Sequence, residues 1–214
     1  MAIIISYPVP NIADIPIPSV TKDSLVVFPT ETVYGVGAFI SNIAGIEEIY
    51  SMKGRDNKPL TLHLSDPAAI HKYAAEVSEP AKRAISLYLP GPLMMIFKAA
   101  SAAILPERLL LKGKIGVRVF SNFIGAALIN MVKEPMVATS ANLSGGKSPK
   151  NFYEVPENII DGCDYAFDNG PTLYQNESTI IDFSEGEPLM LREGALSYEE
   201  LKKVLCVNIR RILR

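Results

Sequence analysis

This sequence has no tryptophan, only two histidines and two cysteines, and no long uninterrupted apolar run. Each shortage removes a class of function. His63, His71, Cys163 and Cys206 make no metal-ligand spacing, so no zinc cluster and no protein metal ligand is expected. The two cysteines lie too far apart in the sequence to read as a disulfide framework, and they are expected to stay reduced and partly buried, as in a cytoplasmic protein. The opening segment MAIIISYPVPNIADIPIPS starts apolar but has no basic leader and is interrupted by prolines, so neither a signal peptide nor a membrane span is expected. A net charge of −2 argues against a strongly basic nucleic-acid protein while leaving room for a local basic face.

What is present is a chain of 214 residues, 48% hydrophobic and 21% charged, with no linker-like stretch, and this reads as one domain over 1–214 with a single sizeable core. Leu25–Phe28 is a short apolar run ended by Pro29 and reads as a buried strand. Further strands are expected at 60–64, 93–97, 115–119, 136–139, 164–167, 178–182 and 188–191. Helical spacing appears at 42–53, capped by Asn42, at 66–75 behind Asp66-Pro67, at 78–89 and at 123–132. The predicted class is α/β. The short connection between 178–182 and 188–191 requires antiparallel pairing, so the sheet is mixed parallel and antiparallel with flanking helices. The motif-bearing core covers about 20–197. The tail 198–214 places Leu201, Val204, Leu205, Ile209 and Ile212 at helical spacing among Lys202, Lys203, Arg210, Arg211 and Arg214, a basic amphipathic helix that packs on the core or faces RNA.

Several familiar signatures fail. Ser144-Gly145-Gly146-Lys147-Ser148 lacks the first glycine of a phosphate-binding P-loop, because Ala141 stands there. Gly35 and Gly37 begin a dinucleotide fingerprint that Ile40 breaks. Other polar groups gather at strand ends. Thr30, Glu31 and Thr32 follow the first buried strand in FPTETVYGVGA, where a ligand would sit in an α/β sheet. Lys53, Arg55 and Lys58 place three cations within KGRDNK, either as a solvated helix end or as a polyanion site. His63 lies two residues after Thr61 and therefore on the same strand face. Arg118 is a charge inside an apparent buried strand and needs a carboxylate from the protein or from a ligand. The loop TSANLSGG from Thr139 can offer amides and hydroxyls to anionic oxygens. Glu177-Ser178-Thr179 and Arg192 repeat the pattern at two more strand ends.

Taken in order, PTETVYG, Lys-x-Arg followed by Pro-Leu and His, Pro-Gly-Pro, Gly-Val-Arg, TSAN, ESTI and Leu-Arg-Glu-Gly resemble the YrdC/TsaC family, from about Phe28 to Gly194. The resemblance implies a YrdC-like twisted sheet with a concave positive face. It also implies a threonylcarbamoyl-AMP synthase, which joins L-threonine, bicarbonate and ATP and releases pyrophosphate for threonylcarbamoyladenosine modification of tRNA. By the same resemblance Thr30, Thr32, His63, Arg118 and Ser178 hold L-threonine, with Arg118 on its carboxylate. Lys53, Arg55, Ser140, Asn142 and Arg192 surround ATP, together with Asn57 or the adjacent Lys58, and Lys53 and Arg55 are the catalytic pair. Mg²⁺ is expected to enter with ATP, and tRNA and tRNA-modification proteins are the implied partners. Here Asp56 follows Arg55 and the spacer before Pro59 is short, which departs from the usual Lys-x-Arg-Pro. A non-catalytic tRNA or double-stranded RNA-binding module is the competing reading, and a carbamoyl-phosphate-dependent relative is a third.

Overall fold

The computed structural model describes residues 1–6, 20–54 and 58–212. Among these residues twelve strands form one sheet: β1 (Ile3–Ser6), β2 (Leu25–Pro29), β3 (Tyr34–Phe39), β4 (Thr61–Leu64), β5 (Leu93–Lys98), β6 (Leu110–Leu111), β7 (Lys114–Val119), β8 (Met136–Ser140), β9 (Tyr165–Asp168), β10 (Thr179–Asp182), β11 (Leu189–Arg192) and β12 (Arg210–Arg211). Their spatial order is β1-β9-β2-β3-β8-β4-β7-β5-β10-β11-β12, with β6 on the side of β7. Pairing is mixed, as expected: β4 runs parallel to β7, whereas β2–β3, β3–β8 and β10–β11 are antiparallel. Among the described residues five α-helices accompany the sheet: α1 (Ile43–Lys53), α2 (Glu79–Tyr88), α3 (Phe123–Val132), α4 (Glu157–Asp161) and α5 (Tyr198–Leu205). Among the described residues no helix is long and apolar enough to cross a membrane.

The two sheet faces have different fates, and this difference makes the site. On one face Val27, Val36, Leu62, Met95, Val117, Val137 and Ile181 alternate inward and join residues of α1, α2, α4 and α5 in the main core. On the other face Phe28, Phe120, Met136 and Ala138 pack under Ile124, Leu128 and Ile129 of α3. The helix α3 covers only part of that face, and the remainder is a concave cleft.

Local chemistry explains most element boundaries. Asn42 caps α1 by accepting from Gly45 N at 2.8 Å, and Gly54 ends it in the left-handed region with φ 54°. Two expectations are corrected, and one strand is found where none was expected. Residues 66–75 do not form an extended helix. A 3₁₀ turn at Pro67–Lys72 ends when Ala74 bridges Ala99 and Ala75 N donates to Lys98 O, drawing the chain into the sheet. Among the described residues of the tail only Tyr198–Leu205 are α-helical. Cys206 turns at φ 52°, and Arg210–Arg211 then pair with Leu189–Met190 as an edge strand, so ladder hydrogen bonds override helical spacing there. Last, Gly35 and Gly37 lie within strand β3. A Cβ on Gly37 would meet Val137 O at 3.0 Å and Met136 Cε at 3.0 Å, so the missing side chain is what lets β8 lie so close. Cys163 is buried as expected, whereas Cys206 is exposed.

Candidate active site

The cleft of about 420 Å³ lies on the partly covered face and is lined by side chains that strand register brings side by side. Gly35 pairs with Ser140, Thr61 with Ala138, His63 with Arg118, Met94 with Ile180, and Ile180 with Arg192. Each of these residues lines the cleft. Segments distant in the sequence thus present one stripe on which Ser140, Thr61, His63, Arg118 and Arg192 carry the polar groups, because period-two alternation aims the intervening residues into the core.

In the middle of the stripe, Arg118 is buried and its Nη2 donates to Glu31 Oε1 at 2.5 Å and to Thr32 Oγ1 at 2.6 Å. The protein itself therefore supplies the carboxylate that a buried guanidinium requires. Burial alone would raise the Glu31 carboxyl, but Arg118 beside it holds its pKa below the usual carboxylate value, with Ser121 acting in the same direction. The hydroxyl directions follow from the donor count. Thr30 Oγ1 donates to Val33 O at 2.7 Å, so its single proton is committed, and Thr32 must donate across the 2.8 Å Thr30–Thr32 contact while accepting from Arg118. Backbone amides of Thr32 and Val33 also donate to Thr30 Oγ1. The Pro-Thr-Glu-Thr turn is a rigid bracket for Arg118.

His63 stands next to Arg118 on the neighbouring strand. Its Nδ1 lies 3.1 Å from Thr61 O, a group that can only accept, so Nδ1 carries the proton and Nε2 is left as an acceptor. Burial first, and then the Arg118 charge, lower its pKa from 6.5 to about 3. A neutral acceptor and a fixed cation therefore lie side by side.

At one end of the stripe, Arg192 Nη1 donates to Glu177 Oε2 at 2.6 Å, and its Nε and Nη2 donate to Ser178 O and Oγ at 2.9 and 3.1 Å. Glu177 Oε1 also accepts from Ser148 Oγ at 2.5 Å. Across the cleft, Ser140 Oγ donates to Asn142 Oδ1 at 2.5 Å, and Asn142 Nδ2 donates to Leu143 O and Gly146 O at 2.8 and 2.7 Å. The TSAN loop is folded around its own asparagine.

Of the residues singled out in the sequence, Thr30, His63, Arg118, Ser140, Asn142, Ser178 and Arg192 line one cleft, and Lys58 joins them. Thr32 is fully buried and is not a lining residue; its hydroxyl meets Arg118. Lys53 does not line the cleft either. Its buried ammonium donates to Ser140 O at 2.5 Å and to Asn142 O, tying the end of α1 to the TSAN loop. Arg55 and Asn57 fall outside the described residues. Sequence reasoning did not assign functional roles to Glu31 and Glu177, the carboxylates paired with the two cleft arginines. Their adjacency to Thr32 and Ser178 was the available signal. Among the described residues no group of three or more His, Cys, Asp or Glu is placed to hold a metal.

The sequence model of the Sua5/YciO/YrdC family, described as "Telomere recombination", matches residues 19–194. The threonylcarbamoyl-AMP synthase of Pyrococcus abyssi is 34% identical over 189 residues, covering 87% of this chain and 55% of that protein. The threonylcarbamoyl-AMP synthase of Bacillus subtilis is 31% identical, covering 86% and 54%. The chain thus spans about half the length of these two curated relatives. A putative threonylcarbamoyl-AMP synthase of Methanocaldococcus jannaschii is 32% identical, with 86% of both chains covered. Among solved structures, P. abyssi Sua5 complexed with L-threonine superposes with a TM-score of 0.82 at 33% identity, covering 89% of this chain and 56% of that one. Escherichia coli YciO superposes with a TM-score of 0.73 at 29% identity, covering 84% and 87%.

Proposed function

Because this chain belongs to the Sua5/YciO/YrdC family, we propose that its cleft forms L-threonylcarbamoyl-adenylate from L-threonine, bicarbonate and ATP, with release of pyrophosphate. The observation that carries the reading is the register pair of His63 and Arg118: a buried cation beside a neutral acceptor suits an amino acid, which brings a carboxylate and N–H or O–H donors. A relative of the same fold is described in complex with L-threonine, which supports that choice of amino acid.

Arg118 takes the threonine carboxylate, and His63 Nε2 accepts from the amine or the side-chain hydroxyl. The amine nitrogen, once neutral, adds to carbon dioxide derived from bicarbonate and loses a proton, giving a carbamate. A carbamate oxygen then attacks the α-phosphorus of ATP, and pyrophosphate leaves with the electrons of the broken P–O bond. Arg192, Lys58 and the Ser140–Gly146 loop line the rest of the cleft and would face the phosphates, where cations and amides offset charge developing on phosphate oxygens. Mg²⁺ would come with ATP as part of the nucleotide substrate and would offset phosphate charge there. The protein contributes position and electrostatics, and the cleft limits water around the labile carbamate. The product supplies tRNA modification in this reading.

The basic tail carries less weight for RNA than its composition implied. Arg211 packs over the Tyr198 ring at 4.2 Å and lies 3.6 Å from Glu193, and Lys202 and Lys203 share α5 with Glu199 and Glu200. The deciding assay is pyrophosphate release with MgATP and bicarbonate, with L-threonine present or omitted. Threonine-dependent release is expected, and release that ignores threonine would overturn the proposal.

A further inference from the structure

Arg118 is already engaged on the protein side. A guanidinium grips a carboxylate in a two-bond fork along one of two edges, Nη1–Nη2 or Nε–Nη2, and both include Nη2. The two hydrogens of Nη2 are directed to Glu31 Oε1 and Thr32 Oγ1. Meanwhile Arg118 Nε and Glu31 Oε2 are buried with no hydrogen-bond partner, so the internal ion pair is one bond short of its own fork. Glu31 is not among the lining residues and meets the cleft through Arg118.

We propose that Glu31 is a positioning residue that acts as the internal counter-ion of Arg118 and competes with the carboxylate of the amino-acid substrate, which limits how tightly that substrate is held. The inference rests on the reading of the cleft as an amino-acid site. An incoming carboxylate must displace one Nη2 partner or accept a single bond from Nη1, and it also meets the Glu31 charge. Without Glu31, Arg118 would be a stronger anion site in a less stable protein, because a buried charge would lack its partner. A purely structural Glu31 would lose stability and binding together, whereas a competing counter-ion loses stability and gains binding.

The experiment is calorimetric titration of the full chain and its Glu31→Gln variant with L-threonine and with L-threoninamide, alongside thermal melts. Glu31→Gln is expected to melt at a lower temperature, to bind threonine at least about tenfold tighter, and to bind threoninamide unchanged, since the amide carries no charge for Glu31 to oppose. Equal or weaker threonine binding by the folded variant overturns the counter-ion role and leaves the functional reading standing. Failure of both the wild type and the variant to bind threonine overturns the functional reading and this inference with it. Should the variant not fold, the wild type alone decides. Replacing threonine by threoninamide is expected to cost less than about thirtyfold in affinity, the lower bound for breaking an unopposed buried charge pair, and a larger loss overturns the role.

Discussion

The imidazole of His63 lies against the ring of Phe120, with centroids 4.5 Å apart and planes at 17°. That stack places the histidine where the apolar cluster under α3 gives way to the cleft, and it explains why a titratable group there stays neutral. Phe120 supplies a dry wall, and Arg118 supplies a like charge against protonation.

The first prediction concerns acid. The pKa of His63 is depressed from 6.5 to about 3, so below pH 6.5 the unfolded chain binds a proton that the folded chain does not. Its contribution to stability is present above pH 6.5 and is lost as pH falls, by up to about tenfold in the folding equilibrium per pH unit until about pH 3. Glu31, whose pKa is also lowered, acts in the same direction at lower pH. Urea midpoints from about pH 7 to about pH 4 should fall more steeply for the wild type than for His63→Gln. Parallel slopes would mean that His63 titrates normally.

In the proposed reading, Arg192 separates the two substrates. Arg192→Ala is expected to raise the KM for ATP by about tenfold or more while changing the KM for threonine much less, because a charge-assisted contact to phosphate is lost from one wall. Steady-state kinetics with each substrate varied in turn checks this. A larger effect on threonine than on ATP would place the two substrates the other way round.

Lys53 is expected to act through the TSAN loop. Lys53→Met keeps the stem but removes an ammonium that bonds two backbone carbonyls, and it should cost about 2–3 kcal/mol of stability by chemical denaturation. It should also lower activity, since Ser140 and Asn142 lose their support. Unchanged stability with lost activity would instead make Lys53 a direct participant in catalysis.

Gly37 is a packing requirement of the sheet. Gly37→Val is expected to destabilise the fold by about 1–3 kcal/mol, because β8 backbone and the Met136 side chain occupy the space. A urea midpoint equal to that of the wild type would contradict the close approach of β3 and β8.

Much of the site was legible before any coordinates. His63 and Arg118 stood out as polar residues inside apolar strands, and the TSAN and ESTI segments as polar groups at strand ends. All four map to one cleft. Strands with sustained β-branched or aliphatic runs, such as β4, β7 and β8, were equally plain. Strand β3 was not, because two glycines in six residues weaken the strand pattern, and only the closeness of β8 shows why they are there. Nor could sequence tell that Lys53 would turn its charge to carbonyls, or that Arg192 would meet Glu177.

By itself the sequence determined the α/β class, the order of most elements and the residue types brought to the strand ends, because periodicity and turn chemistry act over a few neighbouring residues. The tertiary structure alone decided which of those residues meet. Register paired His63 with Arg118 across a parallel ladder, and the partial cover of α3 left that pair facing a cleft rather than a core. It also chose the partner of the buried guanidinium. A lone arginine in an apolar strand announces that a carboxylate is required, but only long-range packing could bring Glu31 there, 87 positions away in the chain.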